Sequence, residues 1–173
     1  MIKAYFFAWM GTLGSVDNEK SIREIINNDE HNALLTKVFD NTGINENRKN
    51  LIYSKLSNAK LQLYPDSEEV IENLKGDYKL AIISNVYEIT SQRIKDLFPK
   101  FLNKFDFITW SCEVGMKKPN MNIFLYTLNN LGFPPEEVVM IGDSQDKDIN
   151  PALSLWMQAR LIDRSKQNLE DVI

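Results

Sequence analysis

The sequence is poor in the residues that build covalent or thiolate frameworks, with one cysteine, Cys112, and one histidine, His31, in 173 residues. A single cysteine excludes an internal disulfide framework and a cysteine-based zinc cluster. No uninterrupted apolar run approaches the roughly 20 residues needed to cross a bilayer, so no membrane partner is expected. No basic block runs through the chain and the net charge is -4, which argues against a nucleic-acid surface. The short apolar N-terminal stretch leads into Gly11-Thr12-Leu13-Gly14 without a cleavage-type site, so a cytoplasmic protein without a targeting segment is expected. A glycine-rich dinucleotide fingerprint after the first strand is also missing. With 43% hydrophobic and 25% charged residues, the composition is that of a globular protein and not of a disordered one. The 18 asparagines are scattered and form no low-complexity tract.

What is present is an alternation of strands and helices. Ile2–Trp9 is nearly all apolar and rich in strand formers, as expected for a strand covered on both faces. Lys79–Ser84, Phe105–Trp110 and Val138–Ile141 are further strand candidates, and Gln158–Ile162 is a weaker fifth. Between them, Val70, Ile71 and Leu74 form a helical face preceded by an expected Asp66/Glu69 capping box. Ile89–Leu97 forms a second helix, and Met121, Phe124, Leu125 and Leu128 stripe a third, closed by Gly132 and Pro134. This order predicts an α/β, Rossmann-like three-layer fold with a mostly parallel sheet. Residues 15–62 break the alternation. Ile22, Ile25 and Ile26, then Leu34, Leu35 and Val38, then Leu51, Ile52 and Leu56 have helical spacing, with turn signals at Asn28-Asp29 and Asn41-Thr42-Gly43. A small all-helical insertion is expected there.

In a doubly wound sheet the ligand sits beyond the carboxyl ends of the strands. Those ends carry Ala8-Trp9-Met10-Gly11-Thr12-Leu13, then Ser84-Asn85, then Gly115-Met116-Lys117-Lys118-Pro119, then Gly142-Asp143-Ser144 with Asp146 and Asp148. A hydroxyl, an amide, a lysine and carboxylates converging from separate strands suit a phosphoryl group and Mg²⁺, which takes hard oxygen ligands.

Taken in order, Ser84-Asn85, Lys118-Pro119, Gly142-Asp143-Ser144 and Asp148 resemble the signatures of the haloacid dehalogenase-like (HAD) hydrolase superfamily, most of whose members are phosphatases. The resemblance spans nearly the whole chain. It implies a sheet order of 5-4-1-2-3, a core of residues 1–14 and 63–173, and a helical cap of residues 15–62. The first signature departs from the family pattern Asp-x-Asp-Gly-Thr-Leu. Ala8 stands where relatives have the nucleophilic aspartate, and Met10 where they have the general acid–base. Gly11-Thr12-Leu13 fixes the register, and an aspartate codon differs from that of methionine at every base.

By the same resemblance, Ser84, the Asn85 backbone amide and Lys118 would bind phosphate. Asp143 and the backbone carbonyl of Met10 would hold Mg²⁺ at a weakened site. Asp148 and Thr12 would support these groups from behind. Trp9 and Met10 are expected to fill part of the metal's volume, Trp110 and Trp156 to pack, His31 to be solvated, and Cys112 to be structural. Asp146 and Lys117 are expected at the surface. Asp17 or Glu19 is a weak candidate for a replacement carboxylate.

The leading functional reading is a divergent phosphatase-type protein that lacks aspartate-based phosphoryl transfer but retains a small phosphate-containing ligand. The alternatives are an active phosphomonoester hydrolase using a non-standard carboxylate or metal-bound water, and a module that binds a protein partner.

Overall fold

The computed structural model describes residues 1–17, 26–36 and 46–173. Five parallel strands form the main sheet: β1 (Ala4–Phe7), β4 (Lys79–Ser84), β5 (Phe107–Trp110), β6 (Val138–Gly142) and β7 (Gln158–Leu161). Their order is β5-β4-β1-β6-β7, which is the expected 5-4-1-2-3 order read from the opposite edge. In register, Phe7 lies beside Ile82 on one side and Ile141 on the other. This places Ala8 and Asp143 just past the ends of neighbouring strands.

The period of two along β1 sends alternate side chains into two cores. Tyr5, Phe7 and Trp9 join one cluster, which includes Val70, Ile71 and Leu74 of α3 (Ser67–Leu74) and Ile94 of α4 (Glu88–Leu97). Ala4, Phe6 and Ala8 join the other, with Ile123, Phe124 and Leu128 of α5 (Met121–Leu131). The sheet is thus covered on both faces, and its near-continuous apolar strands follow from that. The third expected helix is bounded as its sequence suggests. The Asn120 side chain accepts from the Asn122 amide at 2.9 Å, and Gly132 closes the helix at φ 77°.

Residues 15–62 are not helical throughout. β2 (Gly14–Val16) and β3 (Leu61–Leu63) pair antiparallel and make a ribbon where the chain leaves and rejoins the core. Between them, α1 (Asn28–Thr36) and α2 (Glu46–Asn58) pack Leu34, Leu35, Ile52 and Leu56 with Ile26 and Tyr87 in a third cluster. Glu19, Ile22, Ile25, Val38 and the Asn41-Thr42-Gly43 turn lie outside the described residues. Among the described residues, no helix is long and apolar enough to cross a membrane.

Two local expectations are overturned. Asp66 occupies the N-cap position of α3 but makes no side-chain cap. Its carboxylate instead accepts from Arg164 Nη1 at 2.7 Å and from the Leu169 amide at 2.5 Å, because a buried guanidinium competes better than a helix amide. Trp156 does not pack. It is 84% exposed and holds φ 66°, because the turn into β7 requires a left-handed residue there and that backbone turns the indole outward.

Candidate phosphate site

Residues at or beyond the carboxyl ends of β1, β4, β5 and β6 line a cavity of about 370 Å³, among them Ala8, Met10, Ser84, Lys118, Asp143 and Asp148. After β1 the chain folds around the Trp9 carbonyl, which accepts from the amides of Leu13 (3.0 Å) and Gly14 (2.9 Å). Gly11 sits at φ 69°, and a Cβ there would fall 2.3 Å from Asp143 Oδ2. A side chain at that position would collide with the carboxylate, so glycine is what allows the two loops to meet.

Ser84 is buried at the end of β4, and its Oγ accepts from the Trp9 amide at 3.3 Å. The hydroxyl proton keeps a donor available for an oxygen in the cavity. The Asn85 side chain has a different task, clamping the loop that carries Lys118. Its Oδ1 accepts from the Lys118 amide and its Nδ2 donates to the Lys118 carbonyl, both at 2.8 Å.

Lys118 forms an ion pair with Asp148, the two side chains being 4% and 2% exposed. Asp148 also accepts from the Ser144 amide at 3.0 Å. It sits so close to Gly142 that a Cβ there would lie 2.4 Å from its carboxyl carbon. Asp143, by contrast, is exposed to the cavity. Lys147, on the π-type turn Gln145–Ile149, lines the same cavity and was not singled out from sequence. The alternation of acidic and basic residues in Gln145-Asp146-Lys147-Asp148 hid it, since only the turn geometry decides which of them faces inward.

Other candidates are placed elsewhere. The Trp9 indole does not fill the pocket. It is fully buried in the core, with ring centroids 5.8 Å from Phe98 and 6.0 Å from both Phe101 and Trp110. Strand parity sends it away from the cavity, and Met10 alone of the pair lines it. Thr12 is buried behind the loop. Its hydroxyl has no partner among the described residues, and its carbonyl accepts from Arg164 Nε at 2.8 Å. Asp17 is exposed and accepts from the Lys60 amide on the ribbon, outside the cavity lining. Asp146 is exposed and does not line the cavity. Lys117 reaches Asn32 Oδ1 at 2.7 Å, and Cys112 is buried beside Ser91. His31 is not simply solvated. It lines the cavity, with Nδ1 2.5 Å from the Tyr87 hydroxyl.

Arg164, also not singled out from sequence, holds the back of the site. Its guanidinium reaches the Thr12 carbonyl, Asp66 and the Ser67 hydroxyl, and lies 4.3 Å from the centre of the Tyr64 ring. Burial pushes the Tyr64 phenol up, and neighbouring Asp143 adds to this while Arg164 opposes it. Among the described residues, no three histidine, cysteine or acidic side chains are grouped to hold a metal ion.

A parallel sheet in this order, with its polar residues gathered at the carboxyl edge, defines a Rossmann-like α/β protein. The profile of the haloacid dehalogenase-like hydrolase family matches residues 6–160, and the chain belongs to that family. It is 34% identical over 156 residues to a glyceraldehyde 3-phosphate phosphatase of Methanothermobacter thermautotrophicus, a match covering 83% of this chain and 66% of the relative. The chain spans about half to two thirds of the length of the first curated relatives it matches. In structure it is similar to a HAD family enzyme of Bacteroides thetaiotaomicron in complex with magnesium and inorganic phosphate (TM-score 0.76, 20% identity, 93% of this chain and 94% of that one). It is also similar to an aspartate-to-alanine variant of that enzyme with the same two ligands (TM-score 0.74, 21% identity, 92% and 93%).

Proposed function

We propose that this protein binds a phosphate group or phosphomonoester in the cavity at the ends of β1, β4 and β6, and does not transfer the phosphoryl group through an aspartate. The observation that carries this is the lining at the end of β1: Ala8 and Met10 face a cavity that also holds Ser84, Lys118, Asp143 and Lys147. Alanine offers no nucleophile and methionine no transferable proton. The cationic and hydroxyl groups suited to a phosphate are kept. The bound phosphate of an aspartate-to-alanine variant in a related fold supports anion binding of this kind in the absence of one aspartate.

The Mg²⁺ site is weakened on this reading. Asp148 is engaged with Lys118 and the Ser144 amide, which leaves the Asp143 carboxylate and the Met10 carbonyl as protein donors. With one carboxylate and one carbonyl, the ion would take most of its near-octahedral oxygen coordination from water and ligand phosphate, so its occupancy would depend on the ligand more than with a second carboxylate in place. Loss of the carboxylate at position 8 also removes a negative charge that would repel a phosphate dianion.

The test pairs turnover with binding. Purified protein is expected to release no phosphate from a panel of phosphomonoesters with Mg²⁺, and to bind inorganic phosphate at millimolar or lower concentration by calorimetry. Leaving-group protonation alone is typically worth about 10²–10⁴-fold. Turnover near about 1 s⁻¹, within the ordinary enzyme range, that disappears in Asp143→Ala would favour the active-hydrolase alternative. Absence of phosphate binding up to tens of millimolar would sink the binding reading.

A further inference from the structure

The cavity lining has a polar part and an apolar part. Besides the phosphate-type groups it includes Val16 of β2, Leu35 of α1, Leu56 of α2, and Val86 and Tyr87 of the loop after β4. Leu35, Leu56 and Tyr87 belong to one packed apolar cluster, so this wall is held in shape by the inserted helices. Among the described residues the polar groups of this wall are Ser15, Thr90 and the His31–Tyr87 pair, whose rings meet edge to face at 89°. An apolar lining with a few placed polar groups is the composition of sites that hold an apolar body and fix its orientation.

The volume of about 370 Å³ is more than a bare phosphate ion occupies and suits a small organic ester. What that ester carries follows from the wall. Hydroxyls set against Val16, Leu35 and Leu56 would be stripped of water without partners, and a carboxylate there would be disfavoured more strongly still. A ring or alkyl group there gains affinity in proportion to the apolar surface it removes from water. Resting on the reading of the polar part as a phosphate site, we infer that the pocket selects phosphomonoesters of a compact apolar or aromatic alcohol over polar triose-type or hydroxyacid phosphates.

Calorimetric titration of the full chain with inorganic phosphate, phenyl phosphate, glycerol 3-phosphate and phenol separates the two parts. Phenyl phosphate is expected to bind about 10-fold or more tightly than inorganic phosphate, with glycerol 3-phosphate no tighter than phosphate. Val16→Thr keeps the side-chain shape on the ribbon and is expected to cut the phenyl phosphate advantage about threefold or more, with phosphate affinity unchanged. If phosphate binds but phenyl phosphate gains nothing over glycerol 3-phosphate, the inference is overturned while the phosphate site stands. If neither phosphate nor any ester binds, both fall. If phenol binds as tightly as phenyl phosphate, the wall is apolar but the phosphate reading, and with it the inference, is overturned.

Discussion

The ammonium of Lys118 and the carboxylate of Asp148 form a buried ion pair at the base of the cavity, neither side chain more than 4% exposed. The charge that a lysine in this position could offer an anion is therefore partly neutralised from behind. Its role is as much to position as to attract. Removing either partner leaves the other charge buried without compensation. Lys118→Ala and Asp148→Ala are each expected to cost about 3–5 kcal/mol, with the double variant costing clearly less than their sum. Denaturant unfolding of the cycle measures this. Additive costs would mean that the pair is not coupled.

Lys147 is the half-buried lysine of the same cavity. It sits on a turn whose backbone is held by Ser144, which accepts from the Lys147 amide at 3.2 Å, so truncating the side chain leaves the fold in place. Lys147→Ala is expected to weaken phosphate binding about 10-fold, the worth of a charge-assisted hydrogen bond. The stability change should stay within about 0.5 kcal/mol. Titrations of both proteins at low and high salt should show the difference shrinking as the charge is screened. Equal affinities at low salt would remove Lys147 from the site.

At Trp156 the backbone pays a cost that the side chain does not recover. With φ 66° and 84% exposure, the residue carries the left-handed penalty of about 1–2 kcal/mol and buries little in return. Trp156→Gly is expected to stabilise the protein by about 0.5–1 kcal/mol after the entropy that glycine adds to the unfolded chain. A rise in the denaturation midpoint checks this. A fall would show that the exposed indole makes a stabilising contact.

Burial would raise the Asp66 carboxyl, but the hydrogen bonds from Arg164 and the Leu169 amide, with the guanidinium charge, outweigh it and hold the group below the usual carboxylate range. A carboxyl with a depressed folded pKa adds stability above its unfolded pKa of about 3.9. That contribution is lost as pH falls through the lower folded value. Asp66→Asn is expected to be less stable at neutral pH and to lose less on acidification below about pH 4. Parallel stability curves for the two proteins over that range would mean that the carboxylate is not coupled to Arg164.

Much of the fold was legible because its signals are local. Apolar runs ended by Gly11, Ser84 and Gly142 mark buried parallel strands, and the stripe of Met121, Phe124, Leu125 and Leu128 marks a helix, of which Phe124 and Leu128 face the core while Met121 and Leu125 are exposed and Ile123 is buried in their stead. The convergence of Ser84, Lys118, Asp143 and Asp148 was also legible, since strand ends in a parallel sheet gather at one edge. Ala8 and Met10 announced their missing chemistry by residue type alone.

Other features were decided by contacts that no local pattern encodes. Strand parity took Trp9 out of the pocket, and the partnership with Arg164, 98 residues away, took Asp66 from its helix cap. The inward turn of Lys147 depended on the winding of five residues. The meeting of His31 with Tyr87, 56 residues apart, required the inserted helices to pack on the loop after β4. Sequence determines which groups each strand end can supply. The side-chain partners they find, and so which charges are neutralised and which face the ligand, follow from long-range packing.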